Sequence, residues 1–186
     1  MNESDINLSR SCCFSGHRPD KLIMPEYELR ALLRREIAAA ISDGYTTFIS
    51  GMARGVDILA AEEVLAAAYL HPEIQLICAY PYSGSTEAFA RSWRERARAI
   101  ACRAALCVDV CPAYSKGCYM RRNDWMVAHS SRLIAVFNGT HGGTRSTVAR
   151  AIKRGLDIHV ILMPGDGDEG NEGNDSFFEK KESKKL

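Results

Sequence analysis

Tyr45-Thr46-Thr47-Phe48-Ile49-Ser50-Gly51-Met52-Ala53-Arg54-Gly55-Val56-Asp57 is the stretch whose reading decides the fold. Its opening is rich in β-branched and aromatic residues and predicts a strand from Thr46 to Ser50. A glycine-bounded loop follows, and Val56, Leu59, Ala60 and Val64 then recur at helical spacing to about Tyr69, where His71-Pro72 ends the run. The same alternation extends in both directions. Upstream, Cys12-Cys13-Phe14 reads as a buried strand ending at Ser15-Gly16, the loop His17-Arg18-Pro19 follows, and Leu29, Leu32, Leu33, Ile37 and Ile41 mark a helix that Gly44 stops. Downstream, strands at Ile74 to Ala79, Leu106 to Val110, Leu133 to Phe137 and Ile158 to Leu162 alternate with helices at about Thr86 to Ala101, Tyr119 to Ser130 and Arg145 to Arg154. Six strands alternating with five helices imply an α/β three-layer sandwich, a mostly parallel sheet with helices on both faces.

A chain of 186 residues suits one such domain, expected over 11–163. Residues 1–10 are polar and read as a flexible N-terminus. From Pro164 the composition turns to Gly, Asp, Glu, Asn and Lys, and 164–186 is expected to be a disordered tail. No run of about 18 apolar residues occurs, so no membrane partner is expected. The N-terminus fits no export or transit signal, and seven cysteines are an odd number for a disulfide framework; both point to the cytoplasm and reduced thiols. Cys12, Cys13, Cys78 and Cys107 lie in apolar strand-like runs and read as core. Cys107, Cys111 and Cys118 lack zinc-site spacing, so no metal is expected. Trp93 shares a helix face with Phe89, Ala97 and Ile100 and reads as core rather than as a ligand platform. The net charge of +1 argues against a surface built to track a phosphate backbone, and the arginines between Arg91 and Arg103 alternate with apolar residues as on a solvated helix face.

The unusual loops all follow strand C-termini, the edge at which open α/β sheets bind ligands. They are Ser15 to Pro19, Ser50 to Gly55, Tyr80-Pro81-Tyr82 and Asn138 to Thr144, and they form four walls of one crevice. Gly51 and Gly55 precede one helix, and Gly142 and Gly143 precede another, where backbone N–H groups and the helix dipole favour an anion. The Thr144 hydroxyl adds a donor there; a tight turn with Thr144 as N-cap is the alternative. No Gly-Lys-Ser/Thr and no G-x-G-x-x-G is present, against ATPase and standard dehydrogenase readings. Arg18, Arg54, Arg122 and His141 are candidate phosphate partners, Asp57 is either a helix cap or a ligand contact, and Met52, Asn123 and His17 complete the candidate set, with simple loop or surface roles as the alternative.

Phe14 to Pro19, Tyr45 to Asp57, Arg122-Asn123-Asp124-Trp125-Met126-Val127 and Gly142-Gly143-Thr144, in that order, resemble the YpsA-like proteins of the SLOG superfamily, Rossmann-like relatives of the Lonely Guy phosphoribohydrolases and of DNA-processing protein A. The resemblance implies a nucleotide-derived ligand, such as AMP, ADP-ribose or an NAD-like molecule, at Gly16, Arg18, Gly51, Gly55, Asp57, Arg122, Asn123, Gly142, Gly143 and Thr144, with no cofactor required. Lonely Guy enzymes carry a glutamate three residues after the loop threonine; this chain has Thr147, so phosphoribohydrolase activity lacks its acid/base group unless Glu62 or Asp124 substitutes. Binding or sensing of a nucleotide-derived small molecule is therefore the leading expectation, with a homo-oligomer as a further expected association. Nucleotide N-glycosidase activity and single-stranded DNA binding are the alternatives, nucleic acid being the less favoured partner.

Overall fold

The computed structural model describes residues 1–163, so the expected tail at 164–186 lies outside the described residues. Six strands alternate with five helices: β1 (Ser11–Gly16), α1 (Glu26–Ser42), β2 (Thr47–Ser50), α2 (Val56–Ala67), β3 (Gln75–Tyr82), α3 (Arg91–Ala101), β4 (Leu106–Cys111), α4 (Cys118–Ala128), β5 (Arg132–Phe137), α5 (Gly143–Arg154) and β6 (Asp157–Leu162). Every strand pairing is parallel, in the order β4-β3-β2-β1-β5-β6. The chain thus steps outward from β1 to β4, returns to the other side of β1, and continues to β6. Right-handed crossovers then require the first three helices on one face and the last two on the other. The two cores agree. Leu29, Leu33 and Ile37 of α1, nearly all of α2, and Ala97 and Ile100 of α3 pack with Cys12, Phe14, Phe48 and Cys78. Met126 and Val127 of α4 and Val148 and Ala151 of α5 pack with Cys13, Ile49, Ile77 and Leu133.

Each helix follows from its sequence. In α1, Glu26 and Glu28 occupy the first turn, favourable toward the dipole, and Leu29, Leu33, Ile37 and Ala40 form the buried stripe. Helix α2 is covered by both α1 and α3, so its buried positions run all round it and include Glu63, which Arg30 and Arg34 neutralise at 2.7 and 3.0 Å. The N-terminal segment makes two short 3-10 turns, Glu3–Asp5 and Leu8–Arg10, and Glu3 accepts from the Trp125 indole at 3.3 Å.

Two expectations are corrected. Helix α3 starts at Arg91 rather than near Thr86, because the residues after Tyr82 close i→i+3 turns (Ser85 N–H to Tyr82 C=O, Glu87 to Gly84, Phe89 to Thr86) before the helix begins. Cys107 is exposed rather than core, because β4 is the edge strand and only alternate residues of it meet a layer. Its strand-mate Asp109, two positions on and also exposed, was the signal in the sequence that this face is open. Cys12, Cys13 and Cys78 are fully buried, and all seven cysteines are free thiols. Trp93 packs against the first core, half-buried, with the Arg96 guanidinium 4.4 Å over its ring.

Candidate functional site

The direction of the chain reverses between β1 and β5, and a topological switch point of this kind splays the loops that leave two neighbouring strands apart. A cavity of about 570 Å³ opens there, at the C-terminal edge of the sheet. The loop after β1 contributes Gly16, His17 and Arg18; the loop after β2 contributes Gly51, Met52 and Arg54, with Asp57 behind it. Arg122 and Asn123 enter from α4, and His141, Gly142, Gly143 and Thr144 from the loop after β5. Of the predicted residues only Gly55 does not line the cavity. It sits beneath the loop with φ +93°, where a Cβ would lie 2.6 Å from the His17 carbonyl oxygen, so its role is to let the β1 and β2 loops touch. Lys21, Pro81, Tyr82, Phe89 and Tyr119 line the cavity too; of these the sequence pointed only to Pro81 and Tyr82, and the loop expected at Tyr80-Pro81-Tyr82 is corrected: these residues continue β3, where Tyr80 pairs with Asp109 and Tyr82 with Cys111 of β4.

The β2 loop is held by local hydrogen bonds. Ser50 Oγ donates to the Asp57 carbonyl at 2.8 Å and accepts from the Met52 N–H at 3.2 Å, and Met52, buried, takes a left-handed conformation at φ 55°. Such a backbone costs about 1–2 kcal/mol in a residue other than glycine, which the buried surroundings offset. Asp57 accepts from Ala53 N–H at 3.3 Å and from Arg122 Nη1 at 3.0 Å. Burial pushes its carboxyl up from the usual value, and the Arg122 charge opposes that rise. Both side chains of the pair are 7% exposed, and Arg122 Nε is buried with no hydrogen-bond partner. Gly51 is needed here because a Cβ would fall 1.3 Å from Arg122 Nη1. Asp57 is thus neither a cap nor a bare carboxylate in the cavity, and Arg122 is not a surface residue.

His17 is buried, stacked 6.2 Å from Phe137, and its Nε2 lies 2.8 Å from Asn138 Oδ1. The same oxygen accepts from the Thr140 N–H at 3.2 Å, so it is an acceptor and His17 Nε2 carries the proton. Burial lowers the His17 pKa below the ordinary imidazole value. At the start of α5 the first intrahelical bond runs from Ser146 N–H to Gly142 C=O at 3.1 Å, which leaves the Gly143 and Thr144 N–H groups ahead of it. A Cβ at Gly142 or Gly143 would meet nothing within 4 Å, so this helix end is open. Gly142, not Thr144, is its N-cap, and Thr144 is buried in the cavity wall. Thr147 is only 1% exposed; its Oγ1 accepts from Asn123 Nδ2 at 3.0 Å and donates to Gly143 C=O at 2.9 Å. Glu62 is ion-paired with Arg30 and with Arg96, the latter at 2.7 Å, and Asp124 with Arg150 at 2.6 Å, and neither carboxylate lines the cavity.

The lining carries Arg18, Lys21, Arg54 and Arg122 against Asp20 and Asp57, and with Asp57 already matched to Arg122 the remaining charge is cationic. Among the described residues no group of His, Cys, Asp and Glu is arranged to hold a metal ion, and no helix is long and apolar enough to cross a membrane.

The fold is similar to that of DNA processing protein A from Streptococcus pneumoniae, with TM-score 0.65 at 15% identity over 93% of this chain and 57% of that one. It is also similar to DNA processing protein A from Helicobacter pylori, a protein described for its single-stranded DNA binding mode, with TM-score 0.66 at 19% identity over 96% of this chain and 76% of that one. At such identities the likeness is one of fold, and the chain spans little more than half of the first of these proteins. No curated protein matches the chain. A family model does: residues 12–162 match YpsA, the YspA SLOG family, and since that span holds every residue lining the cavity, the chain belongs to that family.

Proposed function

We propose that this protein binds a phosphorylated, nucleotide-derived small molecule in the cavity at the switch point, and that it does so as a binding or sensing protein rather than as a hydrolase. The observation that carries the reading is the convergence, in one cavity, of an unobstructed helix N-terminus at Gly142-Gly143-Thr144 with a cationic excess from Arg18, Lys21 and Arg54. Helix N–H groups and guanidinium forks both favour a phosphate there. Against hydrolysis, the position of the acid/base glutamate is held by buried Thr147, and Glu62 and Asp124 are ion-paired with arginines outside the cavity lining.

A single-stranded DNA reading draws on the fold shared with DNA processing protein A. It is weakened by the arginines of α3, three of whose four are paired with carboxylates, Arg91–Glu95 at 2.7 Å, Arg96–Glu62 at 2.7 Å and Arg98–Glu87 at 3.0 Å, rather than presented as a basic track.

Ligand-observed NMR with AMP, ADP-ribose and NAD, beside Gly143→Asp, tests the reading. A carboxylate at position 143 enters open space and repels phosphate without disturbing the core. Binding without new peaks, lost in the variant, is the expected result. Free base accumulating with time would make the protein an enzyme, and salt-sensitive binding to an oligonucleotide alone would favour DNA.

A further inference from the structure

The cavity has the open start of α5 on one side and a group of aromatic side chains on another, where Arg54 lies 5.7 Å over the Phe89 ring. The start of α5 follows β5; the aromatic side lies at the end of β3, where Pro81 and Tyr82 of the strand and Phe89 beyond it are joined by Tyr119 from α4. Tyr114 packs edge-on to Tyr82 with centroids 5.5 Å apart, and Tyr119 does the same at 6.3 Å. These are not core residues: Tyr114 is 69% and Tyr119 42% exposed. Tyr82 and Tyr119 line the cavity and Tyr114, outside the lining, packs against Tyr82; covering such partly exposed aromatic surface with a planar ring is favourable. The strand order places β3 three ladder spacings from β5, about 14 Å. A phosphosugar held at α5 does not cross that span, whereas a base joined to its sugar through a diphosphate does.

We propose that Tyr82 and Tyr119, with Tyr114 packed behind Tyr82, form a base-stacking wall opposite the start of α5, and that the ligand is a base-bearing nucleoside diphosphate derivative rather than a phosphosugar. This deepens the nucleotide reading and rests on it. Tyr82 and Tyr119 supply ring faces, and the sequence-tolerant stacking they offer sets the class of ligand rather than the identity of the base.

Saturation-transfer NMR on the full chain, irradiating tyrosine ring protons, is run with ADP-ribose and with ribose 5-phosphate. The adenine protons of ADP-ribose are expected to receive the strongest transfer. Tyr82→Ala and Tyr119→Ala are expected to weaken ADP-ribose about tenfold or more while leaving ribose 5-phosphate within about twofold, and Tyr82→Phe to keep wild-type affinity. Unchanged ribose 5-phosphate binding also shows that the variants are folded. Equal affinity of the wild type for the two ligands, or equal loss of both in the alanine variants, would overturn the base wall while leaving the phosphate site standing. Binding of neither ligand would overturn both readings. Displacement of ADP-ribose by a thymidine oligomer at far lower concentration would keep the wall but assign the base to a DNA strand, against a free nucleotide.

Discussion

Arg122 and Asp57 are 65 residues apart in sequence and meet at 3.0 Å inside the cavity wall, and the pair explains much of the local design. Each is costly to bury alone, so each fixes the other, and removing one partner of such a pair typically costs about 3–5 kcal/mol. The consequence for ligand binding is that Asp57 does not repel an anion and Arg122 is only partly available to one. His17 lines the same cavity and titrates there. Its pKa is lowered by burial, so the folded protein binds the proton less readily than the unfolded chain does. Stability is then complete above the ordinary imidazole pKa and falls as pH drops through that value toward the lower folded one. Urea denaturation of the wild type is expected to show a falling midpoint between about pH 7.5 and about pH 5.5, with a shallower fall in His17→Gln, which keeps a donor for Asn138. Parallel curves for the two proteins would remove His17 as the cause. None of this was readable beforehand: His17 and Arg122 were visible as residues beside distinctive loops, but the burial that sets their chemistry comes from segments distant in sequence.

At the scale of the element, the approach of α4 to α5 decides how the open helix end is held. Thr147 bridges Asn123 of α4 to the Gly143 carbonyl of α5, and it is buried, so its hydroxyl fixes the first turn that presents the Gly143 and Thr144 N–H groups. Replacing the hydroxyl by a methyl in Thr147→Val leaves Asn123 Nδ2 without its partner and is expected to cost about 1–3 kcal/mol. The loosened turn should weaken phosphate binding as well. Thermal denaturation and an ADP-ribose titration measure the two effects, and a variant with wild-type values in both would show that the bridge is incidental. The elements themselves were legible, because strand and helix periodicities are local properties of the chain. The start of α3 was not, since Ser83-Gly84-Ser85-Thr86 is compatible with a helix start and with successive turns. The turns bring Ser85, Ala88 and Phe89 to the cavity wall. Cys107 departs from the expected core for a different reason: it shares its strand face with the charged Asp109, and the apolar residues on either side of it mask that alternation.

For the whole molecule, the cavity gathers residues from the ends of β1, β2, β3 and β5 and from α2, α4 and α5, so an occupied site ties together both helical layers and the sheet between them. A ligand that binds only the folded state adds its binding free energy to stability. At a hundred times its dissociation constant this is about 2.7 kcal/mol, which corresponds to a rise in melting temperature of roughly 5–10 °C for a domain of this size. Differential scanning fluorimetry with ADP-ribose is expected to show that rise in the wild type and none in Gly143→Asp. An equal rise in both proteins would place the ligand elsewhere.

The alternation of strand and helix, the position of the distinctive loops after β1, β2 and β5, and the glycines at the starts of α2 and α5 are all written in the sequence by itself, because each depends on neighbouring residues: a periodicity, a turn, a helix end. The loops were therefore known to share an edge of the sheet. Which of them are adjacent was decided by the tertiary structure alone. The order β4-β3-β2-β1-β5-β6 puts the phosphate-favouring end of α5 on one side of the cavity and Tyr82 on the other, and the crossing of α4 carries Arg122 to Asp57 and Tyr119 to the aromatic wall. Strand order and helix crossing are settled by packing between segments far apart in the chain, and no local pattern encodes them.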